Sequence, residues 1–304
     1  MKNIFPIILA GGRGRRLYPL SSENKPKQFL KINSDDSLYQ QTFSRALEVA
    51  SLKNIITVGQ SKYTKTITKQ AAKIDSDFKS NFIFEPCLRN TAAAIVIGAI
   101  HAYIKNPDAI ILSMPSDHII KDSSGLVSAI RKSTPYANDD QIVCFGVEPT
   151  REDGNYGHII AGNDLSSGLS TVRTFVEKPS AKKLARIVEN GKYYWNSGIY
   201  LFAARKLIRV LKESAPEFLQ CIEKSFAYGN KGKFGFEPNE VYYDCLDSIA
   251  IDNLVMEQAA DLMVCPIDIG WSDVGSWHAI WEMSQAEGND NPLSNFLNMI
   301  SKAA

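Results

Sequence analysis

The amino-acid sequence begins with a short apolar run that leads directly into a glycine-rich turn. Residues 4–10 have the continuous apolar character of a parallel strand that is buried on both faces. The glycines that follow, in the segment GGRG, can bring backbone amides close to an anion because no Cβ atom blocks the approach. In an open α/β sheet such a turn lies at the carboxyl end of its strand, where ligands bind. The feature therefore predicts an α/β fold with an anion site above the first strand.

Strand and helix patterns alternate through the first half of the chain. The strand candidates are residues 4–10, 54–58, 81–84, 109–114 and 141–147, and the helix candidates are 38–50, 62–73, 91–104 and 123–136. This alternation indicates βαβ units. We therefore predict an α/β protein with a Rossmann-like, mostly parallel twisted sheet and helices on both faces.

The pattern changes after about residue 149. Shorter strand candidates at 158–161, 172–176 and 198–203 are joined by Gly- and Asp-rich turns, helix candidates follow at 181–190 and 204–213, and 225–238 is interpreted as a loop. The sequence contains no internal repeat and no convincing interdomain linker. We predict one domain over residues 1–281, with halves of about 1–149 and 150–281, and a tail of undetermined role at 282–304.

Composition argues against several classes of protein, namely nucleic-acid binders, disulfide-rich or zinc-binding proteins and membrane-spanning proteins. The 304 residues carry a net charge of +1, whereas a general nucleic-acid binder needs a strong basic excess. The five cysteines are too far apart for a zinc motif or a dense disulfide framework, and small buried thiols in a reducing cytoplasm are expected. No apolar stretch approaches the roughly 18 residues of a membrane span. A cytoplasmic protein with neither nucleic-acid nor membrane partners is predicted.

Positive charge is concentrated around the glycine turn. Five cations surround it: Arg13, Arg15, Arg16, Lys25 and Lys27. The turn fits neither the Walker pattern GxxxxGK[ST] nor the dinucleotide fingerprint GxGxxG, which would need a third glycine in place of Leu17. A tight turn with a solvated basic face is the alternative, but this density of cations favours phosphate binding.

Two aspartates are candidate magnesium ligands. Asp117 follows the strand candidate 109–114 in the segment MPSDH, and Asp273 lies far along the chain in GWSDVGSW. Mg²⁺ typically takes one or two protein carboxylates and completes its shell with phosphate oxygens and water. A turn aspartate at 117 and a helix N-cap at 273 are the structural alternatives. His118 is expected to be a hydrogen-bonded neighbour rather than a zinc ligand.

Several motifs, in order, resemble those of sugar-nucleotide pyrophosphorylases, and the PKQFL form is particularly similar to bacterial mannose-1-phosphate guanylyltransferases. The motifs are LAGGRGRRLYPLS, KPKQFL, EPCLRNTA, PSDH, GNYGHI, VEKP, WNSG and WSDVG, within residues 6–277. Three residues depart from the family pattern. Arg15 replaces a small or polar residue, Asn253 replaces a tyrosine, and Tyr18 replaces a tryptophan whose packing role it is expected to keep.

The resemblance implies a role for each motif. The nucleotide is held by Leu9, Ala10, Gly11, Gly12, Arg13, Gly14, Glu85, Asn90 and Thr91, with the purine contacted by Glu85 and Asn90. Arg16 and Lys27 act at the phosphates, Asp117 and Asp273 hold Mg²⁺, and Gly157, Glu177, Lys178 and Asn196 bind the sugar phosphate. Taken alone, Asn90 could simply cap a helix, and Glu177 and Lys178 could form a surface ion pair.

The implied reaction joins GTP to α-D-mannose 1-phosphate, giving GDP-mannose and pyrophosphate. The first half of the domain would then bind the nucleotide and the second half the sugar. Another sugar 1-phosphate or nucleoside triphosphate is one alternative, and a non-catalytic sugar-nucleotide-binding regulatory subunit is another. Self-association into a homo-oligomer is also open.

Overall fold

A computed structural model describes residues 2–12, 17–18, 20–77, 79–189 and 191–275, and one mixed sheet forms its centre. The strands are β1 (Ile4–Leu9), β2 (Ile56–Gln60), β3 (Asn81–Glu85), β4 (Ile110–Pro115), β5 (Ile142–Val147), β6 (His158–Asp164), β7 (Ser170–Val176), β8 (Tyr193–Ala203), β9 (Asn230–Lys231), β10 (Phe236–Glu237) and β11 (Leu262–Ile267). The central order is β3-β2-β1-β4-β8-β5-β11, and only β8 runs against the others. The predicted mostly parallel sheet is confirmed.

Helices cover both faces of this sheet. They are α1 (Leu38–Leu47), α2 (Thr64–Ala71), α3 (Asn90–Lys105), α4 (Ser123–Asn138), α5 (Ala181–Glu189), α6 (Ala204–Ser214), α7 (Pro216–Ala227) and α8 (Glu240–Asp244). Alternate residues of β1 enter different cores: Phe5 and Ile7 pack with α3, α6 and α7, whereas Ile4 and Ile8 pack with α1, α2 and α4. A strand buried on both faces needs an unbroken apolar run, which explains the opening of the sequence.

The second half adds a smaller antiparallel layer. Strand β6 pairs with β7 and with the first residues of β8, and β7 also pairs with β11. The long strand β8 therefore belongs to two layers, because its later residues lie between β4 and β5. This arrangement brings the loop that precedes β6 and the loop that follows β7 toward the carboxyl ends of β1 and β4.

Three local predictions need correction. The segment 225–238 is not simply a loop, because it contains the end of α7 and the short strands β9 and β10, the latter pairing with β3. Strand β8 begins at Tyr193 rather than at residue 198. Tyr18 is 75% exposed, so it does not keep an interior packing role. The first two errors share a cause: the pairing partners of these strands are distant in sequence.

The cysteines are all free. Cys144 and Cys265 are buried as predicted, Cys87 and Cys221 are half-buried, and Cys245 is exposed, so the expectation of buried thiols is wrong for Cys245. Within the described part of the chain, no helix has both the length and the apolar character required to cross a membrane.

Candidate active site

Two adjoining cavities lie at the carboxyl ends of β1, β3 and β4. The first, of about 430 Å³, is lined by Leu9, Gly11, Gly12, Gln28, Glu85, Leu88, Asn90, Thr91, Ala94, Pro115, Ser116, Asp117 and Ser248. The second, of about 500 Å³, is lined by residues that include Lys27, Gly157, Glu177, Lys178, Asn196, Asp252 and Asp273. Both are lined by Gly12, Asn90, Thr91, Pro115 and Asp117. A ligand could therefore extend from one cavity into the other.

Glutamine side chains hold the glycine turn at the edge of the first cavity. Gln28 donates to the carbonyl oxygens of Ala10 and Gly12 at 3.1 and 2.9 Å, and Gln60 donates to that of Gly11 at 3.2 Å. In a trans peptide the carbonyl and the following amide point in opposite directions. Anchoring these carbonyls therefore turns the amides of Gly11 and Gly12 away from the glutamines. Gln60 was not identified from the sequence.

Glu85 places a carboxylate deep in the first cavity. The residue is only 2% exposed, and burial raises the pKa of its carboxyl to about 7 although Tyr243 donates a 2.6 Å hydrogen bond to Oε1. Oε2 faces Gly11, where an added Cβ would stand 3.1 Å away. The cavity thus holds one carboxyl group that gains its charge only near neutral pH.

The start of α3 forms another wall of the first cavity. Asn90 has a positive φ of 63°, a conformation that asparagine tolerates better than most residues, and its side chain accepts a 2.9 Å hydrogen bond from the amide of Thr91. The Thr91 hydroxyl in turn accepts from the amide of Ile251 at 2.9 Å. Asn90 is the first residue of α3 rather than its N-cap, which is Arg89, and it lines both cavities.

Lys27 lies where three distant motifs meet. Its ammonium is 3.0 Å from the Asp117 carboxylate, and it donates to the backbone carbonyls of Asp273 and, at 3.5 Å, Val274. The lysine side chain is only 8% exposed, whereas that of Asp117 is 41% exposed toward the cavity. Burial alone would raise the Asp117 pKa, but Lys27 and His118 outweigh it, so the net shift is downward. A charged Asp117 is favoured.

Asp273 is oriented by two further hydrogen bonds. Its Oδ1 accepts from the Tyr156 hydroxyl at 3.2 Å and from the Gly275 amide at 3.0 Å. Burial, with the adjacent Asp273 charge, raises the Tyr156 pKa to about 12, so this phenol remains a donor at neutral pH. The segment before Asp273 is fixed by two 2.9 Å backbone hydrogen bonds between Ile119 and Ser272. Chain segments about 150 residues apart are thereby joined next to Lys27.

His118 is a hydrogen-bonded neighbour, as its sequence context predicted. Its Nδ1 accepts a 3.2 Å hydrogen bond from the Trp271 indole, and its Nε2 lies 3.6 Å from Asp117 Oδ1. Burial lowers the His118 pKa. Among the residues that the structure describes, no set of three or more His, Cys, Asp or Glu side chains is arranged to hold a metal.

Glu177 and Lys178 face the second cavity as an ion pair. The Lys178 ammonium contacts Glu177 Oε1, and the lysine and glutamate side chains are 55% and 17% exposed, respectively. Burial raises the pKa of Glu177, although Lys178 opposes the shift. Gly157 permits this position of Glu177, because an added Cβ would stand 2.5 Å from Oε2 and 3.1 Å from the Asn196 Cβ. The glycine leaves space for a carboxylate as well as for a ligand.

The Asn196 side chain lines the second cavity and forms hydrogen bonds with other residues of its wall. Its amide donates to the Tyr200 hydroxyl at 2.6 Å and to Asp252 Oδ1 at 2.8 Å, and its carbonyl accepts from the Gly198 amide at 3.0 Å. Asp252 lines the cavity and was not singled out from the sequence. Its neighbour Asn253, which departs from the family pattern, was the available signal.

Most of the predicted site residues that the structure describes line the two cavities. Ala10 is fully buried and contributes its backbone to the turn. Arg13, Gly14, Arg16 and the departure at Arg15 lie outside the described residues, as does everything after Gly275, including the tail 282–304. Whether Asp273 caps a helix depends on those later residues.

Comparison with known proteins assigns the class. Residues 5–289 match the family model described as nucleotidyl transferase, and the chain belongs to this family. It is 35% identical over 295 residues to a mannose-1-phosphate guanylyltransferase of Escherichia coli, an overlap of 96% of this chain and 62% of that protein. The chain therefore spans less than two thirds of this relative's length.

Two solved structures are also similar. A Thermus thermophilus protein described as mannose-1-phosphate geranyltransferase has a TM-score of 0.80 and 27% identity, and the match covers 93% of this chain and 80% of that one. A Helicobacter pylori protein described as mannose-6-phosphate isomerase has a TM-score of 0.77 and 28% identity, and the match covers 89% of this chain and 99% of that one. The fold assignment is thus supported by structures as well as by sequence.

Proposed function

We propose that this chain transfers the guanylyl group of GTP to α-D-mannose 1-phosphate, forming GDP-mannose and pyrophosphate. The first cavity binds the nucleotide and the second binds the sugar phosphate, and the halves of about 1–149 and 150–281 each supply most of the lining of the corresponding cavity. The similarity to the E. coli mannose-1-phosphate guanylyltransferase supports this choice of substrates. The free cysteines are consistent with a cytoplasmic enzyme.

One observation carries the proposal: Lys27 joins Asp117 to the backbone of Asp273 at the junction of the two cavities. A nucleotidyl transfer needs negative phosphate oxygens from two substrates to approach one another, and their repulsion must be offset at that point. The junction gathers a cation and two carboxylates there. All three residues line the second cavity, and Asp117 lines the first as well.

The residues at the junction fit a magnesium ion. Asp117 is charged and partly open to the cavity, and Asp273 has one oxygen oriented by Tyr156 and Gly275. Two carboxylates are the number that Mg²⁺ accepts when phosphates and water fill the remaining positions. When bound by these carboxylates, the ion would neutralise charge on the reacting phosphates.

The chain's own groups bind and align the substrates. The amides of the glycine turn, with Arg16 and Lys27, hold the triphosphate, and Lys178 holds the phosphate of the sugar. An oxygen of that phosphate attacks the α-phosphorus of GTP. The new O–P bond forms as the bond from the α-phosphorus to its bridging oxygen breaks, and pyrophosphate leaves with the electron pair. The attacking phosphate is mostly ionised near pH 7 because its second pKa is about 6, so no general base is needed.

Glu85 supports guanine as the base. Guanine presents two neighbouring donors on its pairing edge, whereas adenine presents an acceptor there. A carboxylate can accept both donors of guanine, and a site of this kind rejects a base that leaves its polar groups unpaired. Donors to a carboxylate favour its charged form, so guanine binding is expected to lower the Glu85 pKa from about 7.

The test is a matrix of nucleoside triphosphates and sugar 1-phosphates, with pyrophosphate release measured with and without Mg²⁺. The proposal expects magnesium-dependent release that is greatest for GTP with mannose 1-phosphate. Greatest release with another pair would assign a different sugar nucleotidyltransferase. No release with any pair would support the regulatory alternative and contradict the proposal.

A second assay tests whether the chain isomerises mannose 6-phosphate, the reaction for which the similar H. pylori protein is named. The full chain is incubated with mannose 6-phosphate, and fructose 6-phosphate is measured. We expect no isomerisation, because the second cavity pairs its cation Lys178 with Glu177 next to Asp117 and Asp273, an arrangement suited to joining phosphates. Isomerase activity that survives Asp117→Asn would contradict this assignment of the cavity.

A further inference from the structure

A strongly basic groove lies outside the two cavities. It encloses about 680 Å³ between α2 and the segment that follows the glycine turn, and five lysines line it: Lys25, Lys31, Lys65, Lys69 and Lys73. No acidic residue is among the described residues that line it. The sequence has 33 acidic and 34 basic residues, so a set of five cations without an acid is a local departure from the average. We call this region the lysine groove.

The charges of the lysine groove oppose the stability of α2. Lys65, Lys69 and Lys73 recur at every fourth position and so project from one side of the helix and the turn that follows it. Like charges at this spacing repel one another, and Lys65 in the first turn is also disfavoured by the helix dipole. No ion pair joins the five lysines to a carboxylate within the described ranges. An anionic ligand would relieve this repulsion.

Part of the lining of the lysine groove is apolar. This part consists of Leu20, Phe29, Leu30 and Ile32, and the nine other described lining residues are polar or charged. A groove of about 680 Å³ is large enough for a small molecule. Basic side chains beside a smaller apolar area suit a ligand that combines phosphates with a planar organic group. A phosphorylated nucleoside has both features.

The lysine groove is physically connected to the junction of the two cavities. The short helical turn Lys27–Phe29 separates them: Lys27 contacts Asp117 on one side, and Phe29 lines the groove on the other. Gln70 of α2 donates a 3.2 Å hydrogen bond to the Phe29 carbonyl. A ligand that contacts α2 in the lysine groove would therefore change the stability of the turn that positions Lys27.

We propose that the lysine groove is a second nucleotide site, which binds a nucleoside di- or triphosphate through Lys65, Lys69 and Lys73 and stabilises the Lys27–Phe29 turn. Lysine is a compact point charge that binds phosphate without a fixed geometry, so binding here depends on ionic strength.

The experiment counts GDP molecules bound per full-length chain by calorimetry. Two sites are expected in the wild type. The variant Lys65→Gln/Lys69→Gln/Lys73→Gln should weaken one site by about tenfold or more, since three charge-assisted contacts are lost. Lys182→Gln/Lys183→Gln/Lys212→Gln removes the same charge from exposed positions elsewhere and should leave both sites unchanged. Glu85→Gln should weaken the other site only.

Hydrogen exchange locates the binding event. In the Glu85→Gln variant, GDP should protect the amides of residues 25–32 and 64–73. Equal binding by the wild type and the groove variant would overturn the proposal. So would a groove variant that loses binding only to RNA or to phosphatidylserine vesicles, since the groove would then dock a macromolecule. If the transferase assay fails while the groove variant still loses a GDP site, only the proposed function is affected.

Discussion

The deep end of the first cavity and the junction of the two cavities treat negative charge in opposite ways. Glu85, at the deep end, is enclosed and its pKa is raised to about 7, so its charged form is disfavoured until hydrogen-bond donors bind. Asp117, at the junction, has a lowered pKa because Lys27 and His118 outweigh the effect of burial. A carboxyl that gains charge on contact with donors can select a base, whereas a permanently charged carboxylate can hold a cation. We infer that the deep end of the first cavity selects the nucleotide and that the transfer takes place at the junction.

The largest expected effect is on the transfer step, which depends on Asp117 and Asp273. Asp117→Asn or Asp273→Asn should lower kcat by about a thousandfold or more, because electrostatic stabilisation of the reacting phosphates is lost. Asp164→Asn, at an exposed ion pair with Lys192, is the matched control and should retain full turnover. Pyrophosphate release gives kcat, and circular dichroism checks the fold. Normal turnover in either active-site variant would place the chemistry elsewhere.

Removal of Lys27 should have the next largest effect. Lys27→Met keeps the length of the side chain but leaves Asp117 without its 3.0 Å partner and the carbonyls of residues 273 and 274 without a donor. We expect kcat/KM for GTP to fall by about a hundredfold. The exposed Lys53→Met serves as the control. A loss confined to the sugar-phosphate KM would assign Lys27 to substrate binding in the second cavity instead.

The geometry of the second cavity can be tested through one methyl group. Gly157→Ala would place a Cβ 2.5 Å from Glu177 Oε2, so Glu177 must move. We expect KM for mannose 1-phosphate to rise by about tenfold or more, with little change for GTP. Gly162→Ala, which places a Cβ 2.5 Å from Thr171 Oγ1 at a position that lines neither cavity, is the matched steric control. Equal changes in both KM values would contradict the separation of the cavities.

The smallest expected effect is a gain in stability. Glu85 has a folded pKa of about 7 against an ordinary value of 4.5, so the unfolded state loses this proton first as pH rises. Its contribution to stability is full below pH 4.5 and is lost as pH rises through about 7. Glu85→Gln should therefore raise the free energy of unfolding by about 1–3 kcal/mol at pH 8 and by much less at pH 4.

Urea unfolding at the two pH values checks this expectation, with the exposed Glu213→Gln as the control. Glu85→Gln should also reduce the preference of the enzyme for GTP over ATP, because a carboxamide has only one acceptor oxygen for the two guanine donors. A loss of stability at pH 8 would show that the charged form of Glu85 is not disfavoured.

The sequence predicted the parts of the site that depend on local patterns. The buried strand before the glycine turn follows from an apolar run and turn residues, and the motif resemblance supplied the metal role of both Asp117 and Asp273. Contacts made by folding were not predictable in this way. Tyr243 reaches Glu85 across 158 positions, and Gln60 reaches Gly11 across 49. No local pattern marks such residues, because their function arises only when β3 and β2 lie next to the turn.

Direct measurement of metal binding tests the central claim, that Asp117 and Asp273 hold one divalent cation beside Lys27. Electron paramagnetic resonance can count Mn²⁺ bound to the full chain with a non-hydrolysable GTP analogue. We predict one bound Mn²⁺ in the wild type and its loss in both Asp117→Asn and Asp273→Asn. Undiminished Mn²⁺ binding in either variant would show that the two carboxylates do not share an ion.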